Sequence, residues 1–173
     1  MPITRSRRRI GQARLQTVLR ALLEASPLCA IATVAGARAH INTAYFAWSE
    51  DFRIVWISDP GAMHSRNLRR RPSAAVAVFD SHQTWGSSDR GVQLFGAAGE
   101  LRGRAAERAT EVYARRFRSY DTAEVRDYRC YELRPRRVKL FDELELGRGV
   151  FVSARIGPGG SIAWERSEVY RPS

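Results

Sequence analysis

Between Leu28 and Ser58 the chain alternates short apolar runs with turns too tight to admit a helix. Leu28–Val34 is apolar and bounded by Pro27 and Gly36, so it reads as a buried strand, and Ala35-Gly36-Ala37 turns it into Arg38–Trp48. Ser49-Glu50-Asp51 then leads into Phe52–Ser58. Strands joined this closely pair antiparallel, because a parallel crossover needs about a dozen residues or more. A parallel, doubly wound sheet is therefore disfavoured, and an antiparallel barrel is the expected architecture.

The rest of the chain supports the same class. Leu15, Val18, Leu19 and Leu22 recur at helical spacing between Gln12 and Ala25, where Ser26-Pro27 ends the pattern. Asp59-Pro60 suits a helix start, with Asp59 as cap and Pro60 in the first turn, and the helix should stop before Pro72. Ala74–Phe79 and Val92–Leu101 read as strands flanking a polar loop at 81–90, with Gly96 and Gly99 as bulge or bend positions. Arg104–Phe117 is helical, with Ala106, Ala109, Tyr113 and Phe117 along one face. Tyr128–Phe141 is a long strand interrupted at Pro135, and Val150–Ile156 with Ser161–Glu165 makes a last hairpin around Gly157-Pro158-Gly159-Gly160. The expected fold class is mainly β with peripheral helices: seven or eight strands in an antiparallel split β-barrel, with three inserted helices. At 173 residues, and with neither repeat nor linker, residues 12–173 are expected to form one domain behind a basic, mobile arm at 1–11.

The formal charge of +11 raises the question of nucleic acid. Arg5, Arg7, Arg8 and Arg9 cluster in the arm, and Arg69–Arg71 close the second helix, but no aromatic side chains interleave with them as a stacking platform would need. A solvated surface or a small anionic ligand is the better reading. No run reaches the roughly 18 apolar residues of a membrane span. Arg20 and Glu24 break the periodic stretch behind the basic start, against a signal peptide, and a cytoplasmic location is expected. Cys29 and Cys130 lie apart in apolar runs and read as buried, reduced thiols without metal-ligand spacing.

The richest stretch is Ile57-Ser58-Asp59-Pro60-Gly61-Ala62-Met63-His64-Ser65-Arg66-Asn67-Leu68. A strand ends in a hydroxyl, a helix begins, and a histidine and an arginine follow in its first turns. A helix N-terminus offers free amide donors and the positive end of its dipole, and Arg66 adds a planar fork suited to phosphate oxygens. Physics alone leaves two readings open: a phosphate cradle without a glycine-rich loop, or a plain strand-to-helix turn with solvated polar groups.

Read as Ser58-x-Pro60-x-x-x-His64-x-Arg66-Asn67-Leu68, with Pro72 ahead of the next strand, this segment resembles the FMN phosphate-binding segment of the pyridoxamine 5'-phosphate oxidase-like split barrels. The order of elements from about residue 13 to 156 is similar as well, and Leu133–Phe141 looks like the late strand of those barrels. The resemblance implies an FMN-binding split barrel working as a homodimer, with the cofactor at the subunit interface. It places Ile57 and Ser58 at the ribityl phosphate, Met63 where many members carry arginine and His64 where many carry lysine. A neutral histidine binds phosphate more weakly, so Arg66 and the helix amides would carry more of the load. The strand around His40–Thr43 would line the isoalloxazine, with His40 and Asn42 on one face and Ile41, Thr43 and Tyr45 on the other. Arg90 precedes the strand where members often place a flavin-contacting glutamine; that position is Gly91 here, with Gln93 two residues on and on the same side. True pyridoxamine-phosphate oxidases also carry a C-terminal Arg-x-His-Asp-Arg-type motif. This chain has Ile162-Ala163-Trp164-Glu165-Arg166-Ser167-Glu168 instead, which speaks against vitamin B6 oxidation.

Other clusters carry less. His40, His64 and His82 are too far apart for a local metal motif, although folding could gather two of them, and some split barrels bind haem. Asp80-Ser81-His82 lacks the surroundings of a nucleophile elbow. Trp85 either closes over a ligand or anchors its loop. The leading expectation is an FMN-dependent oxidoreductase or flavin reductase acting on a small organic substrate. A deazaflavin-dependent reductase and a non-catalytic flavin- or haem-binding protein are the alternatives.

Overall fold

The computed structural model describes residues 3–6, 8–121 and 125–170. In chain order the elements are β1 (Ile3–Ser6), α1 (Gln12–Glu24), β2 (Leu28–Ala35), β3 (Arg38–Tyr45), β4 (Ala47–Trp48), β5 (Ile54–Ser58), α2 (Met63–Arg70), β6 (Ser73–Phe79), β7 (Arg90–Glu100), α3 (Arg104–Arg116), β8 (Arg129–Asp142), β9 (Val150–Ile156) and β10 (Ile162–Tyr170). The sheet runs β1-β10-β9-β8-β7-β6-β2-β3, with β4 and β5 branching from β8, and it is not closed. The contacts divide the chain into two compact units: residues 1–26, 77–94 and 136–173, and residues 27–76 and 95–135.

In the first unit, α1 buries Leu15, Val18, Leu19, Leu22 and Leu23, the stripe its 3.6-residue spacing dictates. β8 pairs with β9 from Arg137–Phe141, and β9 with β10, whose ladder shifts by a bulge between Trp164 and Arg166. Their polar face is laced by ion pairs: Glu165 meets Arg137 and Arg155, and Glu168 meets Arg166. Part of the basic segment expected as an arm at 1–11 takes regular structure among the described residues. Ile3–Ser6 forms β1 on the edge of β10, with Arg5 opposite Glu168. Arg8 donates to the Leu146 carbonyl at 3.1 Å, and Ile10 is buried. β1 finds a partner because β10 continues to Tyr170, past the expected end at Glu165, and so offers an open edge. Met1, Pro2 and Arg7 lie outside the described residues.

In the second unit, β2 and β3 form the expected hairpin, in register from Leu28 opposite Tyr45 to Ala35 opposite Arg38. The reading of one strand to Trp48 and another from Phe52 needs correction. Phe46 separates β3 from β4, and Phe52 sits in the following turn with a left-handed φ of 62°. Its buried ring stacks on Trp48 at 6.2 Å, and that packing holds the unusual backbone. β8 also runs unbroken through Pro135. Gly96 meets it there: a Cβ at that position would collide with the Arg134 carbonyl, so glycine serves a close backbone approach. α3 packs Ala109 and Tyr113 against Ala47, Val55 and Cys130.

Candidate functional site

β5 delivers the chain to the site. It pairs antiparallel with β8, Ile57 opposite Cys130 and Ser58 opposite Arg129. Asp59 does not cap the helix, contrary to expectation. Its Oδ1 takes the Gly61 amide at 2.6 Å and its carbonyl takes the Ala62 amide at 3.1 Å, closing a turn before the helix starts. α2 begins at Met63, with Ala62 in the cap position. The Met63, His64 and Ser65 amides therefore form the open end of the helix, where no intrahelical carbonyl is available to them. The turn is braced from both sides, since Ser65 Oγ donates to the Asp59 carbonyl at 2.8 Å and Arg69 donates to the Pro60 carbonyl at 2.9 Å. Arg66 is different. It is exposed, and its only described contact is the Met63 sulfur at 4.0 Å.

The inner face of α2 buries His64, Ser65, Asn67 and Leu68. Asn67 donates to Thr33 Oγ1 at 3.0 Å, tying the helix to β2. Thr33 stands opposite His40, and Ile31 opposite Asn42, so His40 and Asn42 share that inner face. The His64 ring meets Tyr131 edge-on at 6.2 Å, and Tyr131 stacks on Trp56 at 5.7 Å. Five buried polar atoms here lack a hydrogen-bond partner: His40 Nδ1, Asn42 Oδ1, Trp56 Nε1, His64 Nε2 and Tyr131 OH. Folded proteins satisfy nearly all such atoms, so a concentration of exceptions calls for a ligand or ordered water. Burial, aided by the neighbouring His40, lowers the His64 pKa below the ordinary histidine value. Its imidazole is neutral near pH 7.

The other expected site residues are dispersed. Thr43 stands on the opposite, outer face of β3 with Ile41 and Tyr45. Ile57 and Ser58 are half-buried at the end of β5, and Met63 is exposed at the helix start. Arg90 and Gln93 belong to the other unit. Arg90 there holds the buried Asp142 carboxylate at 3.0 Å, while Gln93 is exposed on β7. Trp85, in the loop before β7, is fully exposed. Trp56 and Tyr131 escaped the sequence reading, and Asn67, read only as part of the motif, gains a role in tying α2 to β2. Trp56 precedes the Ile57-Ser58 pair directly, and that proximity was the signal available; Tyr131 joins only through the β5–β8 pairing. Among the described residues, no three of His, Cys, Asp and Glu are placed to share a metal ion, and no helix is long and apolar enough to cross a membrane.

A family model described as pyridoxamine 5'-phosphate oxidase matches residues 15–142. No curated protein matches the sequence. Solved structures do. A putative pyridoxamine 5'-phosphate oxidase from Listeria innocua is 17% identical, with a TM-score of 0.57 over 73% of this chain and 97% of that one. A heme binding protein from Mycobacterium smegmatis is 20% identical, with a TM-score of 0.63 over 85% of this chain but only 59% of its own length. An FAD-binding protein from Mesorhizobium loti is 16% identical, with a TM-score of 0.58 over 69% of this chain and 87% of that one. At these identities the likeness is one of fold.

Proposed function

Because this chain belongs to the pyridoxamine 5'-phosphate oxidase family, we propose that it binds FMN at the start of α2 and acts as a flavin-dependent oxidoreductase or flavin reductase on a small organic substrate. The observation that carries this reading is the row of unpartnered polar atoms on the buried side of α2, next to an unengaged arginine. The donor set fits a phosphorylated, hydroxyl-rich ligand. The Met63, His64 and Ser65 amides and the Arg66 guanidinium would hold the phosphate. His64, neutral and donating or accepting through Nε2, would orient the chain behind it, as would His40 and Asn42. Bound flavin supplies hydride or electron transfer through its ring; the protein supplies binding, orientation and exclusion of water.

Arg66→Ala should weaken FMN binding by about 1–3 kcal/mol, the range for a charge-assisted hydrogen bond, measured by fluorescence titration. An unchanged affinity removes Arg66 from the site. Two features bear on the assembly and its setting. The outer face of β2 and β3 exposes Leu28, Ile41 and Tyr45, at 44%, 67% and 57%, an apolar surface suited to a second copy of the chain. Light scattering of the purified protein would read dimer or monomer directly. Cys29 and Cys130 are free and buried, which accords with a reducing cytoplasm.

One observation favours haem as a second reading: His40 lies close enough to His64 to disfavour its protonated form, and a heme binding protein shares the fold. The visible spectrum after loading separates the two, flavin by paired bands in the near ultraviolet and blue, haem by a Soret band.

A further inference from the structure

A concave site lies in the 27–76/95–135 unit, beside α3. It is a cleft of about 420 Å³ between α3 and the strands β5 and β8, and it shares no residue with the α2 cradle. That volume falls in the range of small-molecule sites.

Its floor is apolar, formed by Val55, Ala109 and Val112. Its arginines differ in what they meet. Arg53 reaches Asp51 at 2.6 Å and Glu132 at 3.5 Å, and Arg134 reaches the same Glu132 oxygen at 2.6 Å. Glu132 is nearly buried, so these two arginines are held by the fold. Arg108 and Arg115 are exposed and have no ion-pair partner among the described residues. They lie seven residues apart on α3, two turns along one stripe. Glu111 lies between them at spacings that permit a pair with either, and pairs with neither. With Asp51 and Glu132 engaged, the cleft offers two free guanidinium groups against one free carboxylate.

We infer that this cleft is a binding site for a small organic anion, its flat apolar body on Val55, Ala109 and Val112 and its carboxylate or phosphate group between Arg108 and Arg115. The engaged arginines set the shape of the floor, and the free ones supply the charge. A guanidinium fork binds both anion types in the plane of its N–H groups, which is why the pair is arginine at both positions. Glu111 sets a limit on the ligand: a compact polyanion would be repelled, and a monoanion with an apolar body, or one that also carries an amine, is accommodated.

The proposal is independent of the flavin reading, and the experiment keeps them apart. Benzoate and phenyl phosphate are titrated separately by calorimetry into the full-length protein in excess FMN, which occupies the α2 cradle, and again into the Arg108→Ala/Arg115→Ala and Arg66→Ala variants. Binding of at least one probe is expected, weakened about tenfold or more in the double variant and unchanged in Arg66→Ala. The probe that binds more tightly identifies the anion class. Both arginines are exposed, so the double variant should keep its FMN affinity and its melting temperature. Failure of both probes to bind at millimolar concentration overturns the site, as does binding that survives the double substitution or disappears in Arg66→Ala.

Discussion

Asp142 and His64 are both buried polar side chains, one in each compact unit, and their surroundings are opposite. The Asp142 carboxylate, with no exposed surface, accepts Arg90 Nε at 3.0 Å and the Leu144 and Glu145 amides at 3.2 Å each. Every interaction it needs is supplied within a few residues of the β8 end and the β7 start. His64 packs edge-on against Tyr131, and it, Tyr131, Trp56, His40 and Asn42 each keep one buried polar atom without a hydrogen-bond partner. A satisfied buried charge belongs to the scaffold, and a cluster of unsatisfied groups marks where the scaffold expects something else. By that criterion the Arg90–Asp142 pair belongs to the scaffold of its own unit.

The sharpest break of this comparison is Asp142→Ala. Removing the carboxylate strands a part-buried guanidinium and two backbone amides, which should cost about 3 kcal/mol. That is the low end for breaking a buried pair, because Arg90 keeps about a third of its side chain in water. Urea unfolding of the two proteins measures it. A loss below about 1 kcal/mol would put Asp142 among weakly held surface acids and dissolve the contrast.

His64→Leu should behave in the reverse way. Replacing an unsatisfied imidazole by an apolar side chain removes a desolvation cost, so stability should change by less than about 1 kcal/mol. FMN affinity should fall, since the ligand loses a polar partner on the buried side of α2. If the variant unfolds as Asp142→Ala does while still binding FMN normally, His64 is a core residue and the cluster has another explanation.

How much of this was legible beforehand follows from the range of the interactions involved. The turn between β2 and β3, α1 and the end of α2 before Pro72 are written in local spacing, and they stand where the periodicity and the Pro and Gly signals put them. The cap at α2 did not, because Asp59 could satisfy either the helix or its own turn, and the Gly61 amide was nearer. β1 was invisible for a similar reason: a four-residue segment such as Ile3-Thr4-Arg5-Ser6 becomes a strand only when an edge such as β10 is offered to it. At the site, His64 and Arg66 were readable from their position after a strand end. Tyr131 was not, since it reaches His64 through a pairing between β5 and β8 that joins residues some seventy positions apart. Nothing in the local sequence distinguishes the free Arg108 and Arg115 from the engaged Arg53 and Arg134; that difference exists only once Glu132 is placed between the latter two.

The finest discrimination comes from pH. The folded state holds the His64 pKa below its ordinary value, chiefly by burial and secondarily by the charge that His40 would carry. The unfolded chain binds its proton at the ordinary value, near 6.5. Above that pH both states carry a neutral imidazole, and this group makes no demand on stability. As pH falls below it, the unfolded state takes up a proton that the folded state resists, so stability declines until the folded pKa is reached. Groups facing His64 set the size of the effect: His40 from β3 opposes the charge, and Tyr131 and Trp56 contribute no countercharge. Wild-type protein should therefore lose melting temperature between pH 6.5 and the folded pKa, while His64→Leu shows a shallower decline over the same interval. Equal slopes in the two proteins would mean that His64 takes its proton without penalty. It would then have a partner in solution, and the contrast with Asp142 would lose its second half.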